Sequence, residues 1–127
     1  MQIFNRDGSL LNEDTTLTLR EYLEIASSGI SLAGADLHQT DLRYADLRYA
    51  DLRYADMTNA DLRCADLTGA NLRRATLAGA DLANVSLRQA DMTDADLRRA
   101  TLAGADLANA DLTDADLTGA DLTAASF

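Results

Sequence analysis

Leucine or methionine recurs at every fifth residue from Leu32 to Leu122 and Phe127 closes the series, so that twenty consecutive units share one spacing. A period of five fits neither the 3.6 residues per turn of a helix nor the period of two of a flat strand. A straight element of either kind would wind its leucines around every side and bury few of them. The chain must therefore turn once per unit. Two residues before each leucine stands a small residue, nearly always alanine, with Ile30, Thr40 and Val85 as exceptions. Residues i and i+2 of an extended side share a face, so this small residue and the leucine point inward together while the residue between them, usually Asp, points out.

Four such sides close a coil of twenty residues. Coils stacked at the spacing of paired strands would make about five layers, a rod near 24 Å long at roughly 4.8 Å per layer. The core is then one Leu and one Ala per side, and close packing accounts for the small residues at the Ala position. No single coil buries enough to stand alone, so stability must come from stacking. Aromatic residues are only 5% of the chain, in keeping with a thin aliphatic core.

Corners leave their own trace. Gly, Asn or Asp stands two residues after the leucine at 34, 59, 69, 79, 84, 94, 104, 109, 114 and 119, residue types that accept the positive φ of the third position of a type II turn. Tyr44, Tyr49, Tyr54, Arg74 and Arg99 occupy the same position without that tolerance, which predicts a different corner geometry at those five. The segment RRATLAGADLAN occurs at 73–84 and again at 98–109. Its offset of 25 is one coil plus one side, so the two copies face directions a quarter-turn apart.

The Ala-Asp-Leu-x-x units from residue 35 onward resemble the pentapeptide-repeat family over about three quarters of the chain. The resemblance implies an all-β fold, a right-handed quadrilateral β-helix of about five coils over residues 31–127. The handedness is implied by the family and not by the spacing.

Residues 1–30 lack the repeat and read as an N-terminal cap. Asp7-Gly8 is a hairpin turn signal between short apolar runs. Thr18-Leu-Arg-Glu21 is a capping box opening a helix from Leu19 to about Ser28, with Gly29 as its stop. An amphipathic helix there would cover the open edge of the first coil. Nothing comparable follows Phe127, so Leu122 and Phe127 are the candidate oligomer interface, for a homodimer formed end to end by two-fold symmetry through the C-terminal coil. The family resemblance points the same way.

The net charge of −10 works against nucleic acid and anionic membrane as direct partners and favours a protein partner. The start of the chain lacks the pattern of a secretory signal and no apolar run approaches membrane-spanning length, which predicts a cytoplasmic protein. One cysteine, Cys64, and one histidine, His38, leave no ligand set for zinc, and the Asp row is the ordinary repeat residue before Leu. No nucleophile lies in a recognisable catalytic motif and no cofactor motif is present, so the expectation is a binding module and not an enzyme.

Charge is distributed unevenly. Asp106, Asp111, Asp114, Asp116 and Asp121 form a candidate acidic surface at one end, where residues 100–127 contain no Arg. Arg43, Tyr44, Arg48, Tyr49, Arg53 and Tyr54 are the candidate partner contact, because Tyr and Arg are enriched at binding hot spots. The three tyrosines fall on successive sides and ring the rod. Columns spaced by twenty place Tyr54 beside Arg74 and then Asp94 and Asp114, a cation–π contact followed by an ion pair. Within the family, the best-known activity that the resemblance implies is protection of type II topoisomerases such as gyrase by an acidic rod imitating duplex DNA. A structural role, rods associating end to end, is the third reading.

Overall fold

A computed structural model of the chain describes residues 29–127. The predicted hairpin at Asp7-Gly8 and the helix from Leu19 lie outside the described residues.

Parallel bridges join residues twenty apart. Ser31 pairs with Asp51, Asp51 with Asn71, Asn71 with Asp91 and Asp91 with Asp111, and equivalent series run from Asp36, Asp41 and Asp46. These define four-sided coils: coil 1 is 31–50, coil 2 is 51–70, coil 3 is 71–90, coil 4 is 91–110 and coil 5 is 111–127. Each side contributes a single bridge before the chain turns, so no side is long enough to count as a strand in its own right.

Within the stack, backbone carbonyls take four of the five N–H groups of a unit and a side chain takes the fifth. In the unit Ala50 to Tyr54, Ala50 N–H closes the preceding turn on the Leu47 carbonyl at 3.1 Å. Asp51 N–H donates back to Ile30 at 2.8 Å, while Leu52 and Tyr54 donate forward to Asn71 and Arg73 at 2.8 and 3.1 Å. The stack leaves only the Arg53 N–H, and the Asp51 carboxylate accepts it at 3.2 Å. Buried or crowded backbone donors need partners, and this need explains why the residue before Leu is so often Asp.

The inward columns form one core. Leu32 to Leu107 and the intervening alanines are almost wholly buried, Met57, Val85 and Met92 among them. In coil 5, Leu112, Leu117 and Leu122 with Ala115, Ala120 and Ala125 are only partly buried. The forward backbone bonds run out at Leu107 N–H to Ser126 O.

The corner geometry differs from the expectation. Tyr44, Tyr49, Tyr54, Arg74 and Arg99 have φ of 60°, 59°, 61°, 57° and 58°, the same left-handed conformation as Asn59 at 55° and Gly69 at 68°. The prediction of a separate geometry at those five corners is therefore wrong. Gln39, Cys64, Gln89 and Ala124 adopt it as well. Each corner from Gly34 to Gly104 is held by a turn bond, such as Ala45 N–H to Leu42 O at 3.1 Å, and by a stacking bond, such as Tyr44 N–H to Arg63 O at 3.1 Å, while Asn109, Asp114, Gly119 and Ala124 keep the same left-handed φ with the turn bond. Changing one corner would break both and shift the coil against its neighbours. The left-handed conformation of an L-residue costs only about 1–2 kcal/mol, so the stack overrides the residue's own preference.

Candidate functional site

The outward residue before Leu and the one after it, two apart, lie side by side on the surface. Where the pair is Asp and Arg, it forms a two-pronged ion pair: Arg43 on Asp41 (2.9 and 2.7 Å), Arg48 on Asp46 (2.8 and 2.6 Å), Arg53 on Asp51 (2.8 and 2.7 Å) and Arg98 on Asp96 (2.8 and 2.6 Å). Where it is Asp and Thr, the hydroxyl donates to the same oxygen, as from Thr58 to Asp56 and from Thr113 to Asp111, both at 2.6 Å.

Stacking extends some pairs into ladders. Arg43 reaches Asp61 at 3.7 Å, Asp61 holds Arg63 at 2.5 Å, and Arg63 reaches Asp81 at 3.7 Å, so Asp61 separates the stacked arginines 43 and 63. Hydrogen bonding from their arginines holds Asp46, Asp51, Asp61 and Asp96 below the ordinary carboxylate pKa, outweighing the opposing effect of burial. His38, exposed, is hydrogen-bonded through Nδ1 to Asp36, and that bond raises its pKa above the ordinary imidazole value.

The predicted contact residues are therefore of two kinds. Arg43, Arg48 and Arg53 are all engaged by Asp. Tyr44, Tyr49 and Tyr54 project from three successive corners with 69%, 59% and 53% of their surface exposed. They surround the rod, as the spacing predicts, and do not join into one flat patch. Tyr49 lies across Gly69 of the next coil, where a Cβ would fall 2.5 and 2.6 Å from its ring carbons. The column from Tyr54 also follows the spacing: the Arg74 guanidinium stands 5.9 Å from the Tyr54 ring centroid and its Nε lies 3.3 Å from Asp94.

The predicted acidic surface is partly neutralised. Arg88 meets Asp106 at 3.0 Å and Arg98 approaches Asp116 at 3.9 Å. Asp111 and Asp121 accept from Thr113 and Thr123. These residues lie on different sides and encircle the end of the rod. Leu122 is partly buried and Phe127 is 73% exposed. Cys64 is an exposed thiol at a corner. Among the described residues no group of three or more His, Cys, Asp or Glu is arranged to hold a metal ion, and no helix is long and apolar enough to cross a membrane.

The pentapeptide repeat profile matches residues 28–59, 50–89, 65–104 and 90–127. The chain belongs to the pentapeptide repeat family. Among solved structures, a pentapeptide repeat protein from the thylakoid lumen of Arabidopsis thaliana is similar at 28% identity over 77% of this chain and 61% of that one, with a TM-score of 0.53. A pentapeptide repeat protein from Nostoc is 39% identical over 68% of this chain and 64% of its own, with a TM-score of 0.37. A plasmid-mediated fluoroquinolone resistance protein is 18% identical over 74% of this chain and 65% of its own, with a TM-score of 0.41. This chain thus spans less than two thirds of the length of each. No curated protein matched it.

Proposed function

We propose that this pentapeptide repeat protein is a non-catalytic, cytoplasmic binding module whose partner is another protein gripping the rod at the tyrosine ring, and that its coil winds right-handed as in the family it resembles. The observation that carries the reading is the trio Tyr44, Tyr49 and Tyr54, large aromatic side chains left mostly exposed on three neighbouring corners although each holds a left-handed backbone that glycine or asparagine would accept more readily. The arginines beside them are already paired. The tyrosines, not the charges, are then the source of affinity, and the paired arginines supply orientation at the rim.

The test compares capture by the parent chain with capture by the variant carrying Tyr44→Ala, Tyr49→Ala and Tyr54→Ala. A protein retained by the parent and lost by a variant of unchanged circular dichroism supports the reading; identical capture by both overturns it. Gyrase supercoiling assayed beside it addresses the duplex-mimic alternative, which rests on the family resemblance and the net charge; supercoiling unchanged at saturating protein removes that alternative. End-to-end pairing is the other reading, supported by the partly exposed leucines of coil 5 and by Phe127. It predicts that Phe127→Asp lowers the mass measured by light scattering.

A further inference from the structure

The duplicated segment places the same residues in two different surroundings. In the first copy, Arg74 stands in its corner column between Tyr54 and Asp94 and contacts both, its Nη1 3.4 Å from the Tyr54 hydroxyl and its Nε 3.3 Å from Asp94. In the second copy, a quarter-turn round the rod, the equivalent residue is Arg99, and its column neighbours are Gly79 and Gly119. Its stem lies against Gly119, where a Cβ would come within 3.4 Å of the Arg99 Cγ. Arg43, Arg48, Arg53, Arg63, Arg73, Arg74, Arg88 and Arg98 each meet an aspartate. Among the described residues Arg99 alone of the arginines has no ion pair, in a chain of net charge −10.

The corner beneath it is hollow. The unit Ala75 to Gly79 carries Thr76 where its neighbours in the column carry Asp56 and Asp96, then Ala78 and Gly79, so neither a carboxylate nor a long side chain fills the surface there. The result is a depression of about 480 Å³ lined by Thr58, Asn59, Ala78, Gly79, Arg98, Arg99 and Thr118. The Asn59 carboxamide lies over Gly79, its Oδ1 only 2.3 Å from where a Cβ would be. The Thr118 hydroxyl is already turned to Asp116, and Arg98 Nε and Nη2 are turned to Asp96. Of the two guanidinium groups lining the hollow, that of Arg99 is the one without a carboxylate partner.

We infer that this hollow receives one carboxylate of a partner polypeptide, an aspartate, a glutamate or a chain end, with Arg99 as its fork. A guanidinium presents paired N–H donors that match the two oxygens of a carboxylate. The overall negative charge repels free anions at long range, which favours a carboxylate delivered on a polypeptide whose surrounding charge is neutral or basic. The site lies along coils 2 to 5 and includes none of Tyr44, Tyr49 and Tyr54, so Arg99→Gln and the tyrosine variant test the two surfaces separately. The duplication supplies an internal control: Gly104 is covered by Asn84 just as Gly79 is by Asn59, with the Asn84 Oδ1 2.5 Å from a Cβ position, but the residue that follows it in the column is Ala124, not Arg.

The experiment is a titration followed by the amide resonances and the Arg99 Nε–H signal, at low ionic strength because salt screens an exposed site. The probes are a blocked tripeptide with one glutamate between two lysines, its glutamine counterpart, and sodium acetate. Saturable shifts at Gly79 and Arg99 with the glutamate peptide, none with the glutamine peptide, silence at Gly104, and loss in Arg99→Gln with only partial recovery in Arg99→Lys are the expected result. Equal shifts at Gly104, or shifts that survive in Arg99→Gln, overturn the site. Acetate binding as tightly as the glutamate peptide overturns the polypeptide source and assigns the hollow to a free small acid.

Discussion

Arg73 reaches forward out of its own coil to the carboxylate of Asp91, 3.3 Å away and eighteen residues on in sequence. The residue two before it is Asn71, where Arg43, Arg48 and Arg53 have Asp. Arg88 behaves the same way: Ser86 stands before it, and it crosses to Asp106 at 3.0 Å. An arginine placed directly after the leucine thus makes its short pair with the carboxylate two residues before it when there is one, and turns to that of the next coil when there is not.

Asn71→Asp should therefore draw Arg73 back and release Asp91. Burial pushes the Asp91 carboxyl up, but Thr93 and Arg73 together hold it below its ordinary value. Without Arg73 it should titrate higher. Carbon-detected NMR of the Asp91 side chain reads this directly, and an unmoved titration curve would refute the switching rule.

Acid should unfold the rod from about pH 4 downward. Asp46, Asp51, Asp61 and Asp96 are depressed in the folded state by hydrogen bonds from Arg48, Arg53, Arg63 and Arg98. A group whose folded pKa is depressed stabilises above its unfolded value, about 3.9 for Asp, and that contribution is lost as pH falls through the folded value. His38, raised by Asp36, works in the opposite sense. Its contribution is complete below about pH 6.5 and fades as pH rises through its folded pKa. Melting temperature against pH, measured for the parent and for His38→Asn, should show a steep acid limb in both and a shallower loss above neutrality in the variant.

Gly69→Ala should destabilise by about 1–2 kcal/mol, because the corner has φ of 68° and the new Cβ would meet the Tyr49 ring. In a Tyr49→Ala background the collision is gone and only backbone strain is left, so the penalty should shrink. A double-mutant cycle by chemical denaturation measures the difference; strict additivity would mean that the ring does not rest on Gly69.

Truncation in the core should depend on the layer. Leu67→Ala, in coil 2 with no exposed surface, should cost about 3 kcal/mol through lost burial and a residual cavity. Leu117→Ala, in the partly exposed coil 5, should cost about 1 kcal/mol, since less apolar surface is returned to water. Equal losses would indicate that coil 5 is covered in solution.

The five-residue period was enough to place every inward leucine and alanine, because alternation along an extended side leaves one choice of face, and the bridges between residues twenty apart show the four-sided coil. The Tyr54, Arg74 and Asp94 column followed from the same count. Corner conformation did not follow from residue type. Tyr44 and Arg99 take the left-handed backbone of glycine because a turn bond and a stacking bond together outweigh the strain at one residue. The identical twelve-residue segments do not by themselves tell Arg74 from Arg99; the count of twenty names their column neighbours, and the structure shows the contacts of one and the hollow beside the other. Their difference arises only when coils are stacked and a neighbour twenty residues away becomes adjacent. One arginine then meets a tyrosine and an aspartate, and the other meets two glycines and an open hollow.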